Sequence, residues 1–119
     1  MLSQSRTEVI ATVRRPDGRG NATIDGLVIR QRSATGGYPI LDKTDAVRWA
    51  ERGLLWTHIP GDGRSVDLVP VDQDGDGRND YVRTQPDRTV RNNLLDLPIW
   101  DRARSVWLDP TGDRQVAAP

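Results

Sequence analysis

Val66-Asp-Leu-Val-Pro-Val71-Asp72-Gln73-Asp74-Gly75-Asp76-Gly77-Arg78-Asn79-Asp80-Tyr81-Val82-Arg83-Thr84 is the stretch around which the chain is organised. Two runs of strand-forming residues flank a loop with acids at its first, third, fifth and ninth positions. Asp-Gly is a favoured turn in two-stranded hairpins, so the stretch predicts a β-hairpin with an acidic tip. Hard cations such as calcium are held by six to eight oxygens at about 2.3–2.6 Å. Carboxylates alternating with small residues can curl around one such ion. The expected ligands are the side chains of Asp72, Asp74, Asp76 and Asp80 with the carbonyl of Arg78. Gly75 and Gly77 supply the positive φ that tight curling demands. The ordinary alternative is a solvated acidic turn.

The opening Asp-x-Asp-x-Asp-Gly also fits the start of an EF-hand loop. At the twelfth position, however, stands Arg83 rather than a bidentate Glu, and the flanks are strand-like. The stretch instead resembles the hairpin calcium loops of FG-GAP and VCBS repeats, of the form Asp-x-Asp-Gly-Asp-Gly-x-x-Asp followed by an apolar strand. A propeller of such repeats needs many copies, and one is present.

The same turn chemistry recurs at Asp17-Gly18, Asp62-Gly63 and Asp76-Gly77, each followed by Arg. Repeated Asp-Gly turns between short apolar runs favour antiparallel hairpins over βαβ crossovers. Strands are expected over 7–14, 22–32, 54–59, 65–71 and 81–84, with Val9, Ala11 and Val13 on one face of the first. A bulge is expected at Asp25-Gly26, where glycine interrupts a strand. Residues 42–52 read as the helix. Asp42 can cap it, Asp45 sits in its first turn, and Ala46, Val47, Trp49 and Ala50 make an apolar face. Gly53 stops it. Leu94, Leu95 and Leu97 are expected to plug the core, Asn92 and Asn93 to bond local backbone, and a last strand to run over 105–108. Trp100 and Trp107 would clamp this tail to the sheet.

The expected fold is therefore α+β: a small, mainly antiparallel sheet with one packed helix. With 119 residues the chain reads as one domain, a core over 7–98 and an extension over 99–119. There is no Phe, so four Trp and the aliphatic residues must fill the core. Formal net charge is zero, which speaks against a general nucleic-acid binder. Absence of Cys removes disulfides, thiol nucleophiles and Cys-ligated zinc. No apolar run is long enough to span a bilayer, and the first residues do not read as a secretory signal, so a cytoplasmic location and a protein partner are expected.

The run Trp49-Ala-Glu-Arg-Gly53, then Val66-Asp67, Tyr81-Val-Arg-Thr84, Asp87, and Asn92-Asn-Leu-Leu-Asp-Leu-Pro98 resembles the family catalogued as domain of unknown function 3892. The resemblance covers about residues 7–98, and its closing Asn-Asn-Leu-Leu-x-Leu-Pro is the most specific part. It implies a domain with one helix on a small sheet, and no activity, cofactor or catalytic residue. The acidic loop and the residues after Pro98 depart from the pattern.

His58, Ser65 and Asp67 can be imagined as a triad, but no nucleophile elbow accompanies them. The expected function is a non-enzymatic accessory or protein-interaction domain with a structural calcium loop. The alternatives are the same module without metal, and a divalent-metal hydrolase using Asp67, Asp74 and Asp80.

Overall fold

The computed structural model describes residues 6–16, 22–31, 37–59, 63–84 and 93–119. Nine strands form one mixed sheet: β1 (Thr7–Pro16), β2 (Ala22–Ile29), β3 (Ile40–Asp42), β4 (Leu55–His58), β5 (Ser65–Val71), β6 (Tyr81–Thr84), β7 (Ile99–Asp101), β8 (Val106–Leu108) and β9 (Gln115–Val116). Helix α1 (Lys43–Glu51) lies between β3 and β4, and a 3₁₀ turn (Asn93–Asp96) precedes β7.

This corrects the expected fold class. The protein is more β-rich than a small antiparallel sheet with one helix, and its sheet is mixed. Strand β1 runs parallel to β4, pairing Thr7 with Leu55 and Glu8 with Trp56, and parallel to β7, pairing Thr12 with Ile99. Its other edge is antiparallel to β2. Asp-Gly turns report only on neighbours in sequence. Parallel neighbours require a crossover, and here α1 provides one on the way to β4.

Helix α1 forms where its end signals lie. The Asp42 carboxylate accepts the Asp45 amide at 2.7 Å, satisfying one of the orphan donors of the first turn. At the other end Gly53 adopts φ +68°, the left-handed conformation open to glycine. There the amide of Leu54 donates to Trp49 and that of Gly53 to Ala50, closing a Schellman-type stop. Ala46 and Ala50 are buried, and Val47 and Trp49 pack half-buried against the same core.

Two irregularities in the β1–β2 ladder decide what each side chain meets. Ile10 has no partner between the pairs Val9–Ile29 and Ala11–Val28. Asp25 is skipped between Val13–Gly26 and Arg14–Ile24, which is the bulge expected at Asp25-Gly26. An extra residue resets strand alternation. Val9 therefore joins the α1 side, with Leu27, Ile29, Leu55, Leu68, Leu94 and Leu97. Ile10, Ala11, Val13 and Val28 form a second core on the other side. The expectation that Val9, Ala11 and Val13 share a face is corrected accordingly.

Leu94 and Leu97 plug the first core, whereas Leu95 is exposed. The 3₁₀ turn carries the chain round too tightly for all three leucines to point inward. Asn92 and the side chain of Asn93 lie outside the described residues, as do the 17–18 turn and residues 32–36. The tail supplies three strands rather than one. Ser105, with φ 54°, sits in the turn between β7 and β8. Trp100 and Trp107 pack on each other at 4.7 Å between centroids and cover the second core, as expected of a clamp.

Leu55 has no exposed surface and lies at the β1–β4 joint. Leu55→Ala is expected to cost about 2–5 kcal/mol, the usual range for a buried leucine truncation, measured as a lowered denaturant midpoint with an unchanged slope.

Candidate functional site

The hairpin of β5 and β6 is in register from Leu68–Thr84 to Val71–Tyr81. The loop that closes it is the acidic stretch. Its neck is pinned by the Asp80 amide donating to the Val71 carbonyl at 2.7 Å and the Gln73 amide donating to Asp80 Oδ2 at 3.0 Å. Gly75 and Gly77 both take positive φ, +74° and +86°. These turns aim successive backbone amides inward. Asp72 accepts the amides of Gly75 at 2.9 Å and Gly77 at 2.8 Å, one on each carboxylate oxygen. Asp74 accepts the Asp76 amide at 3.3 Å, and Asp76 accepts the Arg78 amide at 2.8 Å.

This folding brings oxygens of Asp72, Asp74, Asp76 and Asp80 within 4.8 Å of one another, an arrangement that could hold a metal ion. The carboxylates are not equivalent. Partial desolvation pushes Asp72 up, but the amides of Gly77 and Gly75 and its other hydrogen bonds outweigh it, so its carboxyl lies below the usual range. Asp74 is drawn down by the Asp76 amide, yet desolvation, the charge of Asp80 and the side chains of Asp76 and Asp72 push it above that range. Like charges held this close disfavour ionisation of one another, and a bound cation would reverse the sign of that term.

Two hollows flank the hairpin. A cleft of about 280 Å³ is floored by Ile24, Leu27, Ala46 and Val82, and meets the hairpin through Gln73 and Tyr81. A shallower one of about 310 Å³ is lined by Lys43, Thr44, Glu51, Asn79 and Asp80. The loop also touches α1 where Asn79 donates to Glu51 at 3.3 Å.

The imagined triad does not assemble. Asp67 pairs with Arg6. His58 uses Nδ1 to meet Glu8 Oε2 at 2.9 Å, and Glu8 Oε1 accepts from Arg30 Nε at 2.7 Å. Ser65 is the register partner of His58. Trp56, which was expected in the core, is half-buried with its ring edge-on to His58 at 4.9 Å. Glu8 was invisible as the partner of His58, because the β1–β4 joint that brings residues 8 and 58 together has no local signature. Of Arg83, Arg88 and Arg91, which the sequence offers as a small, solvated cationic edge, Arg83 is half-buried on β6 and the other two lie outside the described residues.

A family model described as "Protein of unknown function (DUF3892)" matches residues 8–98. The chain belongs to this family. No curated protein and no solved structure matches the chain. The match embraces the β5–β6 hairpin and stops before β7. The family's description assigns no activity, and the FG-GAP or VCBS likeness of the loop is not part of what was matched.

Burial pushes the Glu8 carboxyl up, but hydrogen bonds from His58 and Arg30 and their charges hold it below its ordinary value. A carboxylate depressed in the folded state adds stability above its unfolded pKa, and that stability is lost as pH falls through the folded value. Glu8→Gln is therefore expected to lower the urea midpoint at about pH 7 and to flatten its fall below about pH 4. Equal midpoint-against-pH curves for the two proteins would show that Glu8 carries no such linkage.

Proposed function

We propose that this protein is a non-enzymatic protein-interaction domain whose β5–β6 hairpin is stiffened by one calcium ion. The observation that carries this reading is the convergence of Asp72, Asp74, Asp76 and Asp80 within 4.8 Å, with no ion pair to any of the four among the described residues. The donors are hard anionic oxygens, which favour calcium over softer metals. Magnesium demands tighter octahedral geometry and sheds water reluctantly, so it binds less well. The Arg78 carbonyl is the proposed fifth protein ligand. Without a bidentate Glu, affinity falls at about 10⁻⁵–10⁻³ M on the scale of known calcium loops. Because Asn79 links the loop to Glu51 of α1, the ion would brace the hairpin tip against the helix.

Protein contact is the proposed role of a surface at the other end of β5. The outward side of β4 and β5 presents half-buried Trp56 with exposed His58, Ser65 and Asp67. An aromatic bordered by polar residues is the usual make-up of such a surface. The hydrolase reading has less support. The cleft of about 280 Å³ is not lined by any of the four aspartates, the shallower hollow of about 310 Å³ meets Asp80 alone of them, and Asp67 is engaged by Arg6 at a different place on the sheet.

Calorimetric titration with calcium is expected to show one site per chain, weaker heat with magnesium, and a melting temperature that rises with calcium by linkage. An Asp74→Ala/Asp76→Ala variant should lose both effects. Absence of heat and of any thermal shift at millimolar calcium would reduce the loop to an acidic turn.

A further inference from the structure

The cleft of about 280 Å³ beside the acidic hairpin draws its apolar surface from four separate elements. Ile24 and Leu27 come from β2, Ala46 from α1 and Val82 from β6, and Leu95 of the 3₁₀ turn closes one end. Leu27, Ala46 and Val82 are buried, whereas Leu95 is left exposed. Backbone constraints hold both walls. On one side Asp25, skipped in the β1–β2 ladder, sets the bend of β2. On the other, the Asp80 amide on Val71 O and the Gln73 amide on Asp80 pin the neck where Gln73 and Tyr81 stand. A hollow fixed in this way is formed before a ligand arrives, as small-molecule sites usually are.

The polar rim is unengaged. Lys43, Gln73 and Tyr81 line the cleft, and among the described residues their side chains have no hydrogen-bond or ion-pair partner. Lys43 stands on the ridge shared with the shallower hollow. The acids around it are turned to other donors. Asp42 accepts the Asp45 amide, Asp80 the Gln73 amide and Glu51 the Asn79 side chain, and Asp25 faces Arg15 at 3.8 Å. The Lys43 ammonium is thus a charge that no neighbouring side chain meets, at the mouth of an apolar hollow. Its complement is an anion with an apolar body. An apolar cavity of about 150 Å³ takes up benzene, so this cleft has room for one such ring on a short chain.

We propose that the cleft binds a small organic carboxylate of that form. The ring lies on Leu27, Ala46 and Val82, and covers Leu95 from water. The carboxylate accepts from Lys43 Nζ, with the Gln73 amide and the Tyr81 hydroxyl as further donors. Apolar burial supplies affinity, and Lys43 supplies the preference for a charged head over a neutral one.

The test is a nuclear magnetic resonance titration of the full, nitrogen-15-labelled chain with 3-phenylpropanoate and, separately, its neutral amide. EDTA keeps the acidic loop free of metal, so failure here is distinct from failure of the calcium reading. The carboxylate is expected to saturate at about millimolar concentration, as suits so small a ligand, and to shift the backbone signals of Gly26, Ala46, Gln73 and Tyr81. The amide should bind about fivefold more weakly, the upper end for a solvent-accessible ion pair. Lys43→Gln should bring the carboxylate down to the affinity of the amide and leave the amide unchanged. Leu95→Ala should weaken both ligands alike. Lys43 and Leu95 are exposed, so neither substitution disturbs the core. Absence of saturation, shifts confined to other parts of the chain, equal affinity for acid and amide, or a ratio that Lys43→Gln leaves intact would each overturn the proposal.

Discussion

Everything in this structure depends on β1 satisfying both of its edges. A buried strand must pair each amide and carbonyl it withdraws from water. One edge of β1 is met by β2. The other is divided between β4, at Thr7 and Glu8, and β7, at Thr12. Neither of the latter strands is near β1 in sequence. Helix α1 and the 3₁₀ turn are what bring them back in the parallel sense. The helix is thus as much a connector as a packing element, and its capped start at Asp42 and glycine stop at Gly53 fix where β4 begins.

The division of β1 also divides the interior. With Ile10 inserted into the ladder, one strand serves two cores, Val9 and Thr12 facing one way and Ile10, Ala11 and Val13 the other. Thr12 is wholly buried on the α1 side, where its hydroxyl accepts Arg14 Nε at 3.2 Å. The Thr57 hydroxyl, also buried, donates to the Val9 carbonyl at 2.7 Å across the β1–β4 joint. Such bonds make the polar atoms inside the core part of its register rather than a burden on it.

What the sequence disclosed was local. The cap and stop of α1, the acidic turn and the bulge at Asp25 follow from the chemistry of one to four neighbouring residues, and they lie where that chemistry places them. The acidic loop was legible for the same reason: alternating aspartates and glycines state their own geometry, and the four carboxylates do converge. Long-range pairing was not legible. Nothing in Thr7-Glu8 names Leu55-Trp56 as its partner, so the antiparallel expectation drawn from hairpin turns failed at β1. The contact of Glu8 with His58 was missed with it, and Trp56 was assigned to a core it does not fill. The Val9–Ala11–Val13 face failed through a single unpaired residue, because strand alternation has no tolerance for one.

The pairing of β1 with β7 has a bearing on how the chain is made. The first strand leaves the ribosome long before residues 99–101 exist, and the β1–β2 hairpin can form while one of its outer edges still lacks part of its neighbour. That open edge, at Thr12, is flanked by Ile10, Ala11 and Val13, the residues that Trp100 and Trp107 will later cover. Distant partners slow folding, since a long loop must close before the contact returns any energy. Until synthesis passes the tail, the nascent chain exposes an unpaired edge beside an apolar face, the combination that invites association with other chains or shelter by a chaperone.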